Sequence, residues 1–339
     1  MIAPKPHKQV SPSPKKRLVA GRKSMTVCIA ASCFEDEENP CIVLCRDWRG
    51  EVQGVGSADT FSKIRRLSST WITLLANNMQ RAEELIIRFE DHLRTVSLTE
   101  VNFPDEVRKV FSKYKKDMAD SFSKNKYGFD LKTLVDKGKS AFGDDFTSTC
   151  FEEISKLPVD ADLLICGFVE KYDYEDKKHR MAPVMCSVSE RNVGDPVVLE
   201  YEFAAIGSGC DIARSLMFTR ELDSGDPLMR VIYVVYEAKA LSETVPGVGP
   251  AFSLDILRQD GTLESLSDTG FQRCRKMYSN FGLKPIITGR LKKIFDIKPE
   301  YFQPFAYDDD SDKSALPTPP AKKQKSTTPS DSQTSEGQQ

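Results

Sequence analysis

The sequence lacks long apolar runs, closely spaced cysteine pairs and any marked excess of one charge. No stretch of about 18 apolar residues is present, so no transmembrane helix is predicted. The N-terminus lacks the apolar core of a secretory signal, and none is expected. The nine cysteines form no CxxC pair, and there are only three histidines. Because a metal centre needs clustered ligands, we predict neither a metal nor a cofactor.

The charges nearly balance, with 48 basic and 50 acidic residues and a net charge of −2. This balance argues against a nucleic-acid partner, which would be bound mainly through an excess of basic side chains. Hydrophobic residues make up 40% of the chain, which is typical of a globular protein. Dispersed cysteines in a chain of this size indicate reduced thiols, so we predict a cytoplasmic location.

Both ends of the chain are expected to be disordered. Residues 1–24 carry seven lysines and arginines and no acidic residue, and residues 308–339 are rich in Pro, Ser, Thr, Gln and Lys. Neither segment contains enough apolar residues to offset the chain entropy lost on folding. Between them, residues 25–307 contain no flexible linker and no repeat, which favours one folded domain.

Hydrophobic periodicity within 25–307 predicts strands and helices in separate groups. Apolar residues three and four positions apart indicate two successive helices, 79–93 and 107–122. A third helix is predicted over 210–222, whereas residues 124–158 have no regular pattern. This grouping predicts an α+β fold with two antiparallel sheets stacked between helix layers. The predicted strands are 26–31, 41–45, 71–76, 162–169, 182–188, 197–203, 251–258 and 262–266.

Residues 229–240 are ambiguous from their composition. Their Val, Ile and Tyr residues favour a strand. The same residues do not form a clean helical stripe, so propensity leaves strand and helix about equally supported.

Five motifs occur in an order that resembles the proteasome-type N-terminal-nucleophile hydrolases, the proteasomal β subunits and their bacterial relatives. That family begins with a threonine on its first strand and has an essential lysine sixteen residues after an aspartate. The matching motifs here are Thr26-Val27-Cys28-Ile29-Ala30, Arg46-Asp47-Trp48-Arg49, Lys63-Ile64, Ala205-Ile206-Gly207-Ser208-Gly209, and Pro246-Gly247-Val248-Gly249 before a hairpin.

The resemblance implies a fold and a quaternary structure. It implies a four-layer αββα sandwich over residues 25–307, with a helix rather than a strand over 229–242. Members of the family pack into rings, so self-association into a ring or dimer is also implied.

The resemblance also implies a reaction. Thr26 would be the nucleophile, with its own α-amine as the base, acting on a peptide or amide substrate. The Lys63 ammonium would disfavour protonation of that amine, and Asp47 would hold Lys63 charged and oriented. Ser208 would join the hydrogen bonds around the amine. Because Thr26 must be the first residue, the chain has to be cleaved after Met25, or translated from Met25 with that methionine removed.

Other site residues follow from the same comparison, together with departures from it. The strand-to-helix junction at Asn77 would supply a main-chain N–H for the oxyanion, although the family favours glycine there. Leu75 would line the pocket that selects a substrate side chain. Glu243 and Pro246 occupy the positions of a later aspartate and serine of the family, and Pro246 offers no hydroxyl.

Two alternatives remain. Taken singly, Asp47 and Lys63 are more typical of structural ion pairs, so the chain is alternatively an inactive structural or assembly subunit with a regulatory partner. In the other alternative, the basic arm and Lys322-Lys323-Gln324-Lys325 bind nucleic acid or act as a nuclear address.

Overall fold

The computed structural model describes residues 26–305 except 37, 49, 53–55, 59–61, 174–176, 193 and 283–297. The chain divides into the units Met1–Phe305 and Ala306–Gln339, and every described residue belongs to the first. Met25, the extension 1–24 and the tail 308–339 lie outside the described residues, as do Arg49 and the basic run that begins at Lys322.

Thirteen strands and seven α-helices are found in the described part of the chain. The strands are β1 (Val27–Phe34), β2 (Pro40–Asp47), β3 (Gly50–Val52), β4 (Gly56–Ala58), β5 (Ile64–Arg66), β6 (Ile72–Asn77), β7 (Ala161–Asp173), β8 (Lys178–Val188), β9 (Val197–Glu200), β10 (Phe203–Gly207), β11 (Phe252–Arg258), β12 (Leu263–Leu266) and β13 (Phe302–Pro304). The helices are α1 (Met79–Leu93), α2 (Phe103–Tyr127), α3 (Leu131–Phe142), α4 (Asp144–Ser155), α5 (Cys210–Thr219), α6 (Leu228–Ser242) and α7 (Asp268–Phe281). None of these described helices is long and apolar enough to cross a membrane.

The strands form two larger antiparallel sheets and one small ribbon. The first sheet has the order β10-β1-β2-β11-β12-β13, and the second has the order β5-β6-β7-β8-β9. Strands β3 and β4 pair separately. In the first sheet, Cys28 of β1 lies opposite Arg46 of β2, so the start of β1 lies beside the end of β2.

Three apolar clusters hold these elements together. One joins the first sheet to helices α5, α6 and α7, and another joins the second sheet to helices α1 and α2. The third lies between residues of the two sheets, including Cys28, Leu44 and Leu74. Alternate residues of β1 therefore enter different clusters, because successive side chains of a strand point to opposite faces. Both faces of β1 are buried, which explains its continuous apolar run.

The predicted α+β class, with two antiparallel sheets, is confirmed. The helix predicted over 229–242 from the resemblance is also present, as α6. Helix α6 is buried on nearly all sides, which is why its sequence shows no polar face.

One prediction from periodicity is wrong, and one segment without a regular pattern is helical. The single strand over 197–203 is two strands, because β9 belongs to the second sheet and β10 to the first. The irregular segment 124–158 contains the end of α2 and all of α3 and α4. Helix α3 begins where the Asp130 side chain accepts a hydrogen bond from the Thr133 N–H, and it ends at Gly143, whose φ is +85°.

Candidate active site

Thr26 lies immediately before β1, and its side chain is completely buried. Its Oγ1 donates a hydrogen bond to Asp47 Oδ1 and accepts one from Lys63 Nζ. Lys63 Nζ also donates to the same Asp47 oxygen. The three polar groups thus form a closed triangle within the apolar interior.

Asp47 is brought to Thr26 by the β1–β2 hairpin. It is the last residue of β2, and the register of the hairpin places it beside the first residues of β1. Its Oδ2 atom is buried and has no hydrogen-bond partner among the described residues. A buried carboxylate needs a nearby cation, and the Lys63 ammonium provides it.

Lys63 lies one residue before β5, which is a strand of the second sheet. The Leu75 N–H donates to the Lys63 carbonyl over 3.0 Å, which fixes this segment to β6. Arg46 holds the preceding residue, because its Nη1 lies 3.3 Å from Ser62 Oγ and its Nε lies 3.2 Å from Asp255 Oδ2. The lysine is therefore positioned by contacts to both sheets.

The turn before α5 surrounds the main chain of Thr26. The Gly209 N–H donates to the Thr26 carbonyl over 3.2 Å. Gly207 has a φ of +88°, and a Cβ built on it would lie 2.4 Å from the same carbonyl oxygen. Ser208 lies between these two glycines and is half-buried. The structure therefore brings the predicted Ser208 segment to Thr26.

Asn77 ends β6 with a φ of +70°. This left-handed region favours glycine, and asparagine is among the residues that tolerate it. Asn77 thus adopts the backbone that a glycine would supply at the predicted oxyanion position. Its side chain donates to Asp162 Oδ2 and accepts from Arg191 Nη2.

Leu75 contributes through its main chain. Its side chain is fully buried in the cluster formed with α1 and α2, on the helix side of the second sheet. Its N–H is bonded to Lys63, and its carbonyl accepts from Cys28 Sγ over 3.3 Å. The structure therefore places its side chain in the core and its backbone beside the site.

Glu243 belongs to a second cluster, formed with Lys239, which was not predicted from the sequence. Lys239 Nζ lies 2.9 Å from Glu243 Oε1 and donates to the Gly249 carbonyl over 2.7 Å. The same ammonium lies 4.7 Å from the centre of the Phe252 ring. The i,i+4 spacing of Lys239 and Glu243 was the available signal. This contact joins the end of α6 to the glycine-containing loop that follows Pro246.

The pKa values of two groups near the site, Cys28 and Asp162, are raised by burial. Burial raises the pKa of the Cys28 thiol to about 12, although the nearby Lys63 charge opposes this shift. Since the thiolate is the reactive form of cysteine, Cys28 is a core residue here. Burial also raises the pKa of Asp162, against hydrogen bonding from Ser189 and the charge of Arg191.

The chain matches no family model and no curated protein with which it was compared. Within the described ranges, no group of three or more His, Cys, Asp or Glu side chains could hold a metal ion. The described contacts of the site place the Thr26 hydroxyl between the Lys63 amino group and the Asp47 carboxyl group.

Proposed function

We propose that the chain is a proteasome-type N-terminal-nucleophile hydrolase that cleaves peptide or amide bonds through Thr26. The observation that carries this proposal is that Lys63 Nζ contacts both Thr26 Oγ1 and Asp47 Oδ1. A buried hydroxyl with these two partners is the arrangement expected of a threonine nucleophile tuned by a cation.

The reaction begins once Thr26 is the first residue. Its free α-amine, with an ordinary pKa of about 7.7–8.0, removes the Oγ1 proton. The oxygen attacks the substrate carbonyl carbon, and the amine returns the proton to the departing nitrogen as the C–N bond breaks. The acyl group is then esterified to Thr26. Water attacks this ester and gives a proton to the amine. The amine passes that proton to Thr26 Oγ1 as the ester C–O bond breaks, which releases the acid and restores the hydroxyl and the neutral amine.

Lys63 and Asp47 support both steps. The Lys63 ammonium favours the neutral form of the nearby amine and stabilises negative charge developing on Oγ1. Asp47 balances the lysine charge inside the protein. The Asn77 main-chain N–H is the proposed donor to the oxyanion, and Ser208 is proposed to bond the amine.

The finer fold assignment is part of the same proposal. Apolar clusters on the outer face of each sheet, and a third between the sheets, support a four-layer αββα sandwich. Assembly into a ring or dimer is proposed by analogy with the family, and a cytoplasmic location from the dispersed, free cysteines.

The test starts from the mature protein of the native host. Intact mass and N-terminal sequencing determine whether its chain begins at Thr26. A recombinant chain that begins at Thr26 is then compared, on a library of peptide amides, with the full chain and with the Thr26→Ala variant. We expect turnover only from the chain with a free Thr26, and Thr26→Ser should retain part of it. Equal turnover by Thr26→Ala would disprove the proposal.

The second candidate is an inactive structural or assembly subunit. Two observations favour it: the Thr26 side chain is completely buried, and residues 1–25 precede Thr26 in the sequence. In that case the mature protein retains residues 1–25, and the chain beginning at Thr26 hydrolyses none of the amides.

A further inference from the structure

Asn77 combines burial with an unfavourable backbone conformation. Four described residues other than glycine have a positive φ: Asn77, Asp160, Lys177 and Glu221. Of these four only Asn77, which is 6% exposed, is buried. Such a conformation persists only where its surroundings enforce it, and it often marks a functional position.

The surroundings of Asn77 hold both ends of its amide group. Its Nδ2 donates to Asp162 Oδ2, and Arg191 Nη2 donates to its Oδ1 over 3.3 Å. The other oxygen of Asp162 accepts from Ser189 Oγ over 2.6 Å. Asp162 is thus fixed by Ser189 on one side and holds Asn77 with the other.

Burial of the Asp162 carboxyl group costs free energy of folding. It is 4% exposed, and burial raises its pKa. Arg191 Nη1 lies 3.9 Å from Asp162 Oδ2 and its side chain is 42% exposed, so its charge offsets only part of the desolvation. The two oxygens of Asp162 accept separately from Asn77 and from Ser189, which the single acceptor oxygen of an amide would not do, and this points to a role for the carboxylate.

The end of β6 is also directly connected to the site. Leu75, two residues before Asn77, donates to the Lys63 carbonyl and accepts from Cys28 Sγ. A change in the conformation of Asn77 therefore acts on a segment that is bonded to both sheets of the site.

We propose that Asp162 is a positioning residue, which holds Asn77 left-handed so that the Asn77 main-chain N–H is directed at the acyl oxygen of an amide substrate. This inference rests on the proposed function and extends it to a residue that has no direct role in bond cleavage. It assigns the Asn77–Asp162–Arg191 contacts to stabilisation of the oxyanion rather than to substrate side-chain selection.

Glycine at position 77 provides the decisive comparison, because it adopts a positive φ without a tether. Asp162→Asn is made in the chain beginning at Thr26, both with Asn77 and with Asn77→Gly. With Asn77 present, we expect kcat to fall about 10- to 100-fold with little change in KM, since a misplaced oxyanion donor affects the transition state. With Asn77→Gly, the same substitution should change kcat less than about 2-fold.

Ser189→Ala is the matched control, since it removes a hydrogen bond from the same carboxylate without touching Asn77. It should lower kcat much less than Asp162→Asn does. If Asp162→Asn fails to fold, Arg191→Ala replaces it, because this exposed side chain also holds the Asn77 amide. Urea unfolding of the full 339-residue chain tests the tether without an activity assay. Asp162→Asn should lower the free energy of unfolding less when residue 77 is glycine than when it is asparagine.

The outcomes separate the two proposals. An unsubstituted chain beginning at Thr26 that has no turnover would overturn the proposed function and this inference together. Turnover that falls equally in the Asn77 and Asn77→Gly backgrounds would overturn the positioning role alone. Equal losses of stability in the two backgrounds would do the same.

Discussion

Gly207 and Thr26 are packed so closely that no side chain fits between them. A Cβ on Gly207 would lie 2.4 Å from the Thr26 carbonyl oxygen and 2.9 Å from Thr26 Cγ2. Gly207 lies opposite Val27 in the ladder of β10 and β1, and Thr26 immediately precedes Val27. The position of Thr26 therefore depends on the absence of a side chain at residue 207.

Gly207→Ala should consequently destabilise the protein and displace Thr26. The positive φ and the overlap with Thr26 together predict a loss of about 2–4 kcal/mol in the free energy of unfolding. Gly128→Ala is the control, because Gly128 has a similar φ of +82° and nothing lies within 4 Å of its added Cβ. It should lose only about 1 kcal/mol. Urea unfolding measures both, and equal losses would contradict the packing argument.

Lys63→Met should destabilise the fold because it leaves the Asp47 carboxylate buried without its cation. Removing one member of a buried ion pair typically costs about 3–5 kcal/mol. Adding Asp47→Leu to Lys63→Met should recover most of this loss, since neither charge then remains. The double variant should still have no amidase activity. If the double variant is as unstable as the single one, the charge of Asp47 is not the cause.

Asp255 should make stability depend on pH. Burial raises the pKa of its carboxyl above the ordinary 3.8, although Arg46 opposes the shift. The folded state then holds this proton more tightly than the unfolded state does. Its contribution to stability is therefore complete below 3.8 and is lost as the pH rises through the raised pKa.

Urea unfolding of the natural protein and of Asp255→Asn across this range measures that dependence. The advantage of the natural protein over the variant should shrink as the pH rises. Asp260→Asn is a control of opposite sign, because bonds from Thr262 lower the pKa of Asp260. The contribution of Asp260 is lost as the pH falls below 3.8. A pH-independent difference for Asp255→Asn would contradict the prediction.

Thiol reagents should distinguish Cys210 from the other cysteines. All nine cysteines are described and free, and Cys210 is the one that is partly exposed. Burial raises the pKa of Cys28 to about 12 and that of Cys45 well above its ordinary value. Burial and Asp211 raise the pKa of Cys210 as well, so exposure alone distinguishes it. The native protein should therefore react first at Cys210, and the denatured protein at all nine cysteines. Mass mapping that finds Cys28 or Cys45 labelled in the native state would contradict this.

The sequence predicted best the elements with one buried face. Helix α1 was predicted with its observed bounds because its apolar residues form a stripe. Helices α3 and α4 were missed because they bury few residues, namely Leu134 and Gly138 in α3 and Thr147 and Cys150 in α4. The Asp130 cap of α3 was a local signal that apolar periodicity does not register.

The site could be proposed only from the order of its motifs. Spacing along the chain suggests Asp47 and Lys63 as a pair, but their meeting with Thr26 depends on strand register and on contact between the sheets. The tether from Asp162 to Asn77 joins residues 85 positions apart, and the sequence contains no local pattern for it. Strand β10 was merged with β9 because nothing in their composition reports a change of sheet.

The hairpin of β1 and β2 brings Thr26 and Asp47 together through neighbouring strands, whereas Lys63 precedes a strand of the opposite sheet. Any reactivity that Thr26 gains from Lys63 therefore exists only after the two sheets have docked. In a newly made or partly unfolded chain, the Lys63 ammonium does not lie beside Thr26. The threonine then has only the low reactivity of an ordinary hydroxyl. If Thr26 is the nucleophile, activation of its hydroxyl by Lys63 therefore requires the complete tertiary structure.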